Sequence, residues 1–322
     1  MKLGTLNLEN PVLLAPMAGI TDLPYRRLMK QFGASLVFTE MVSANGLHYG
    51  GNGTTELLRS TPDERPLGAQ IFGADPEIMA EAARKVSPNA DLIDINMGCP
   101  VKKVIRSGAG SALLQEPERI REIIRSVRKA VSIPLTIKIR SGWDHLSRNY
   151  IEIARIAAAE GVDAVTLHPR TRSEGFGGHS DWQEIARLKS CIDIPVIGSG
   201  DIFSSDDAIR MLMETGCDAI MIGRGGYGNP WLIRNTLKRL SGKAESPPNI
   251  MDRYQVAQQH LKLFLECFPA EKAARDMRKH LCWYTHGLPG SAQFRGTLNR
   301  TGNYTELKQL FEDYFQKLLE EE

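Results

Sequence analysis

Between Pro11 and Gly226 a short apolar run followed by a helical pattern recurs eight times, and this alternation restricts the chain more than any other feature. The runs are "PVLLAPMAG" from Pro11, "SLVFTEMVS" from Ser35, "PLGAQIFG" from Pro66 and "DLIDINMGC" from Asp91. They continue with "PLTIKIRSG" from Pro134, "DAVTLHPRT" from Asp163, "PVIGSGDI" from Pro195 and "DAIMIGRGG" from Asp218. Nearly continuous apolar character suits strands covered on both faces, as in a parallel sheet. Between them, "PERIREIIRSVRKAV" repeats Ile120, Ile123, Ile124 and Val127 at helical spacing behind a proline suited to a first turn. "RNYIEIARIAAAEG" and "SSDDAIRMLMETG" each close on a glycine, the usual helix stop.

Eight strand–helix units in about 235 residues predict an α/β fold, a (β/α)8 TIM barrel, whose usual size is about 250 residues. A doubly wound sheet is the alternative, because strand count alone does not prove closure. Polar residues gather where the runs end: Asn96 and Cys99, Lys138 and Arg140, His168 and Arg170, Ser199 and Asp201, then Arg224. In a barrel these converge on the face where active sites are built.

The rest of the chain sorts by composition. "SGKAESPPNI" (241–250) is small, polar and proline-broken, and reads as a linker between a barrel (1–240) and a small C-terminal helical domain (251–322). The formal charge of +2 is too small to argue for nucleic acid, so any basic surface must be local. The tail supplies one. From Lys272 to Arg300, six Lys/Arg stand against Asp276 alone, and on a helix Arg275, Arg278 and Lys279 oppose the apolar Ala274, Met277, Leu281 and Tyr284. A merely solvated charged face is the other reading of that pattern.

Five scattered cysteines without a C-x-x-C pair speak against a disulfide framework or a zinc site and for a reduced, cytoplasmic setting. The first residues lack a signal-peptide pattern, and no stretch approaches the roughly 18 apolar residues of a membrane helix. The expectation is a cytoplasmic monomer with no metal.

"GSGD" (Gly198–Asp201) and "GRGG" (Gly223–Gly226) end the seventh and eighth runs, where barrels commonly hold a phosphate. Arg224 would add a charge-assisted fork. These glycines also suit plain tight turns. "GRGGYG" matches G-x-G-x-x-G, but Pro230 and the lack of a following strand remove the dinucleotide-binding context. Lys138, on the fifth run, points to stabilised negative charge in the mouth, with a Schiff-base lysine as its rival.

"APMAGITD", "DINMGCPVKKV", "GAGSALL", "IKIRSGW", "HPRTR", "VIGSGDI", "AIMIGRG" and the tail "ARDMRKHLCWY" together resemble the tRNA-dihydrouridine synthases, particularly the bacterial B-type members. The resemblance spans nearly the whole chain. It implies an FMN-dependent barrel with a helical C-terminal domain that reduces uridine in the tRNA D-loop with NADPH. It places FMN contacts on Pro16, Met17, Ala18, Gln70, Lys138, His168, Ser199, Gly200, Asp201, Gly223 and Arg224. Two residues depart from the family pattern: Ser199 stands for the usual asparagine, and Pro169 for a glycine.

The resemblance makes Cys99 the catalytic acid. Reducing the C5–C6 bond of uracil takes a hydride at C6 and a proton at C5. A cysteine of ordinary pKa, about 8.5, is mostly protonated near neutrality and can donate. Asn96, Arg140 and Arg170 are expected near the uracil, with Lys102 and Lys103 beside the sulfur and Arg275, Arg278 and Lys279 on RNA phosphate. A buried structural thiol and a covalent nucleophile are the competing readings of Cys99. A reductase of free pyrimidines and a non-catalytic RNA-binding module compete for the whole chain.

Overall fold

The structure, a computed structural model, describes residues 1–321. Eight parallel strands form one sheet: β1 (Val12–Leu14), β2 (Val37–Phe38), β3 (Leu67–Phe72), β4 (Leu92–Met97), β5 (Leu135–Arg140), β6 (Ala164–His168), β7 (Val196–Ser199) and β8 (Ala219–Ile222). Each pairs with its neighbours in sequence order, and β8 returns to β1, Ile220 beside Val12 and Ile222 beside Leu14. The ring closes between β1 and β2 through a parallel bridge at Leu13 and Leu36, with Leu14 N donating to Leu36 O at 3.0 Å. The second run splits in two: after β2, a short stretch at Val42–Ser43 also pairs with β3.

Eight helices cover the outside: α1 (Leu23–Gln31), α2 (Ala44–His48), α3 (Pro76–Val86), α4 (Pro117–Ala130), α5 (Tyr150–Ala159), α6 (Trp182–Lys189), α7 (Ser205–Thr215) and α8 (Trp231–Leu240). Helix α4 has the face its spacing predicts, for Ile120, Ile123, Ile124 and Val127 are fully buried. Helix α7 starts with a reciprocal capping box between Ser204 and Asp207 and stops at Gly216 in the left-handed conformation.

Side chains alternate along each strand, so every second residue enters the barrel. At the N-terminal end Leu13, Leu36, Phe38, Leu92, Ala164, Ile197 and Ala219 form an apolar floor, which Leu3 and Leu8 of a small N-terminal hairpin cover. One step up, Gln70, Asp94, Thr136 and Thr166 make a buried polar layer. One further step brings Asn96, Lys138 and His168 to the mouth. Strand register thus carries the chemistry to one end.

After α8 the chain runs irregularly to Asn249, which caps α9 (Ile250–Cys267); α10 (Ala270–Tyr284), α11 (Ser291–Leu298) and α12 (Tyr304–Glu320) follow. Ala274, Met277, Leu281 and Tyr284 of α10 are buried, in agreement with the apolar face read from the sequence. The tail's core also includes Leu28 of α1 and Trp231 of α8, so these helices rest on the flank of the barrel.

A buried ion pair braces that flank. Arg26 of α1 meets both oxygens of Glu64, at 2.6 and 3.0 Å, and also donates to the carbonyls of Thr21 and Arg59. Neither partner is more than 1% exposed. Glu64→Ala would leave the guanidinium buried without its counter-charge, and is expected to lower the unfolding free energy in urea by about 3–5 kcal/mol.

Candidate active site

A cavity of about 350 Å³ opens at the C-terminal end of the barrel, within the size range of small-molecule sites. It brings together Pro16, Met17 and Ala18 after β1, Asn96 and Cys99 at β4, Lys138 and Arg140 on β5 and His168 on β6. Ser199, Gly200 and Asp201 from β7 and Gly223 and Arg224 from β8 complete the wall.

The turn that carries Cys99 is tied at both ends. Asn96 Oδ1 accepts from Gly98 N at 3.2 Å and Cys99 N at 2.9 Å. The Cys99 carbonyl accepts from the Ser111 amide at 3.1 Å and from its hydroxyl at 2.9 Å. "GAGS" lies directly beneath: a Cβ on Gly110 would fall 2.8 Å from Cys99 O, and its φ of +62° favours glycine as well.

Burial pushes the Cys99 thiol up, although the Val101 amide, Arg140 and Lys138 pull it partway back. The sulfur is therefore protonated at neutral pH. Its cationic neighbours differ from the expected ones. Lys102 and Lys103 are exposed at the start of a one-turn helix (Lys102–Ile105), while Arg140 and Lys138, from the next strand, overlook the thiol.

The mouth is poor in free anions. Burial, with help from Arg140, holds the Lys138 ammonium at about 8. Burial and the nearby Arg170 bring Arg140 down to about 10. His168 is kept neutral, first by burial and then by the surrounding cations. Burial works against the Asp201 carboxylate, but Arg170 and the Ser180 amide keep its pKa below the ordinary value. The arrangement suits an anionic ligand.

Arg224 lies 4.5 Å from the Phe176 ring and 5.5 Å from the Phe203 ring, and pairs with Asp201 at 3.3 Å. The loops after β7 and β8 touch so closely that a Cβ on Gly225 would come 2.0 Å from Ile202 O. A slot walled by Pro16, Met17, Ala18 and Met221, with a lysine at its side and an arginine-bearing glycine rim, fits a planar ring that carries a phosphate.

Two expected contacts stand behind the cavity wall. Gln70 is 1% exposed in the polar layer, where its amide bonds Asp94 and Asn96. Arg170 spends its guanidinium on the cavity wall: its two terminal nitrogens hold Asp201, at 2.9 and 2.7 Å, and also donate to the Ser180 hydroxyl and the Gly178 carbonyl, while Nε donates to the Gly177 carbonyl. It thereby fixes Asp201, the one non-glycine residue with positive φ (+54°) among the described residues. On α10, Arg275 is exposed and pairs with Asp276, Arg278 is half-buried, and Lys279 donates to Gly19 O on the turn after β1. The lysine braces the cavity wall.

Sequence reasoning missed Met41, Phe176, Phe203 and Tyr227, which also line the cavity. Phe176 sits in "SEGFGGH", where an aromatic among glycines ahead of a helix was the available signal. Tyr227 stacks on Trp283 of α10, ring centroids 4.3 Å apart, so the tail reaches the cavity rim.

The model of the dihydrouridine synthase (Dus) family matches residues 13–320. The chain belongs to the dihydrouridine synthase family. It is 41% identical over 322 residues to tRNA-dihydrouridine synthase B of Pasteurella multocida, covering 99% of this chain and 97% of that one. It is 39% identical to the enzyme of the same name from Xanthomonas axonopodis pv. citri, covering 99% and 97%. Among solved structures, a 2-naphthoyl-CoA reductase complex superposes with a TM-score of 0.58 at 15% identity, over 76% of this chain and 52% of that chain. That likeness speaks for the barrel alone. Dihydrouridine synthases are oxidoreductases, and this chain is an enzyme of that kind. No helix among the described residues is long and apolar enough to cross a membrane.

The depressed pKa of Lys138 has a thermodynamic signature. The native side chain sheds its proton near 8 and the unfolded one near the ordinary 10.5, so between them the unfolded chain binds more protons. The contribution of Lys138 to stability is expected to rise with pH across that window, so that in denaturant titrations at pH 8 and pH 10 Lys138→Met lowers the gain in unfolding free energy relative to the parent.

Proposed function

We propose that this chain reduces the C5–C6 double bond of a uridine in the D-loop of tRNA to 5,6-dihydrouridine, with FMN as cofactor, NADPH as reductant and Cys99 as proton donor. The observation that carries the reading is a protonated thiol, fixed at the end of β4, in the same cavity as a ring-sized slot and a cationic rim. The names of the relatives, tRNA-dihydrouridine synthases, support tRNA as the substrate.

Pro16, Met17 and Ala18 would hold the plane of the ring, with His168 and Ser199 at its edges. Arg224 and the backbone of Gly200, Asp201 and Gly223 would take the phosphate. Lys138 would face the ring carbonyl that gains negative charge. When bound, FMN reduced by NADPH supplies the hydride equivalent that uracil C6 requires.

This chain's own residues do the rest. Cys99 holds a proton at Sγ and delivers it to C5. Arg140 and Lys138 favour the thiolate that remains, and solvent restores the thiol. Arg140 and Asn96 orient the uracil carbonyls, while Arg170 acts through Asp201 and Gln70 through Asn96. Proton transfer from a placed acid is typically worth about 10²–10⁴-fold in rate.

Residues 1–240 would carry the chemistry and 251–322 the RNA, joined through 241–250, in a monomer working in the cytoplasm. A uridine stacked inside folded tRNA costs a few kcal/mol to extrude, which backbone contacts must offset. Lys102 and Lys103, exposed beside the cavity, and Arg275 and Arg278 on the tail would meet phosphate. Lys279 would contribute by holding the Gly19 turn.

Cys99→Ala is expected to keep the yellow flavin spectrum and tRNA binding but to lose dihydrouridine by about 10²-fold or more, read by mass spectrometry of digested tRNA. Unaltered product would overturn the acid assignment. Lys102→Ala with Lys103→Ala is expected to weaken tRNA binding and to flatten its log–log salt dependence by about one to two units. Turnover of free uridine as fast as tRNA would remove the RNA from the reading.

A further inference from the structure

Beneath Cys99 lies a chain of side-chain hydrogen bonds whose far end, Asp94 and Thr136, the reaction as proposed does not use. Thr136 Oγ1 donates to Asp94 Oδ1 at 2.6 Å, and Gln70 Nε2 donates to Asp94 Oδ2 at 2.6 Å. Asn96 Nδ2 donates to Gln70 Oε1 at 2.9 Å, and Asn96 Oδ1 accepts from the amides of Gly98 and Cys99. Asp94 is 0% exposed.

We infer that Asp94 is a positioning residue for Cys99: its carboxylate sets the direction of two successive side-chain amides, and so the shape of the turn that bears the thiol. The inference takes from the proposed function only the role of Cys99.

A carboxylate only accepts, so the Gln70 amide beside it must present its NH₂ group. The Gln70 oxygen then faces Asn96, which must answer with its own NH₂. The Asn96 oxygen is left facing two backbone N–H groups, which can only donate. Were either amide reversed, an NH₂ group would meet N–H in a buried site, at the cost of unmade hydrogen bonds. Two buried bonds and a part-buried one thus carry one direction from Asp94 to the Cys99 amide.

A carboxylate is an expensive way to fill a core. Burial pushes the pKa of Asp94 up to about 6, although Gln70, Thr136 and Lys138 stabilise the charge. An apolar residue would pack there at lower cost, and would leave Gln70 free to turn either way. Asparagine could keep the direction, with its oxygen toward Gln70 and its NH₂ toward the Thr136 hydroxyl, which donates or accepts.

The test is iodoacetamide modification of Cys99 in the full-length purified chain, followed peptide by peptide by mass spectrometry across pH. Asp94→Leu and Gln70→Leu are each expected to loosen the turn and solvate the thiol. Cys99 would then react about tenfold faster at pH 8, the size of a one-unit fall in its pKa. Asp94→Asn, which keeps an acceptor toward Gln70, should match the parent. So should Thr136→Val, which removes a bond to the same carboxylate outside the relay.

Asp94→Leu should add nothing in the Gln70→Leu background, because both cut one chain. An unchanged profile in Asp94→Leu, or a full additional effect in the double variant, overturns the inference. If Asp94→Leu does not fold, Gln70→Leu decides alone, and an unchanged profile there overturns it equally. These readings are independent of dihydrouridine formation, so failure of the relay and failure of the acid assignment are told apart.

Discussion

Two backbone hydrogen bonds, from Leu14 N to Leu36 O and from Ser35 N to Val12 O, join the first strand to the second and turn a row of eight into a ring. Everything at the mouth depends on that closure. An open sheet would splay β1 and β8 from β4 and β5 by several strand widths, each about 4.8 Å. In the ring, the Pro16 turn, the Arg224 rim and the Cys99 turn share one cavity. The hairpin beneath and the Arg26–Glu64 pair beside it hold the ring from two further sides.

The interior is layered, and the layers divide the work. An apolar floor supplies burial, a polar middle layer supplies direction, and the mouth supplies charge. Lys138 and Arg140 face the cavity with no carboxylate paired to them, since Asp201 is shared by Arg170 and Arg224 and Asp94 lies one layer down. Cations held without counter-charges are costly, and they favour an anionic occupant. The tail belongs to this arrangement as well. Lys279 and Trp283 reach the turn after β1 and the loop after β8, so the helices proposed to carry RNA touch both rims of the cavity.

Most of the scaffold was legible in the sequence because period and polarity coincide in a parallel barrel. The eight runs became eight strands, and residues ending them, such as Lys138, His168 and Ser199, line the mouth through simple alternation. What escaped was direction beyond the strand ends. Arg170 lies two residues past the end of β6, where the paired oxygens of Asp201 and the carbonyls of Gly177 and Gly178 hold its fork. Gln70 is a mouth residue by spacing but sits one layer lower, below Asn96. Lys279 lies on the cationic face of α10, and only tertiary packing brings Gly19 within its reach. Asp94 drew no notice, since a carboxylate inside an apolar strand carries no local sign of its partners.

The central claim is that Cys99 acts as an acid and not as a nucleophile, and pH separates the two in the unaltered protein. The measurement is the single-turnover rate of uridine reduction in tRNA by the pre-reduced enzyme across neutral to alkaline pH. A thiol that must hold its proton predicts a rate that is level near neutrality and falls as the sulfur ionises. A rate that climbs with pH over that range, as thiolate attack requires, would contradict the account.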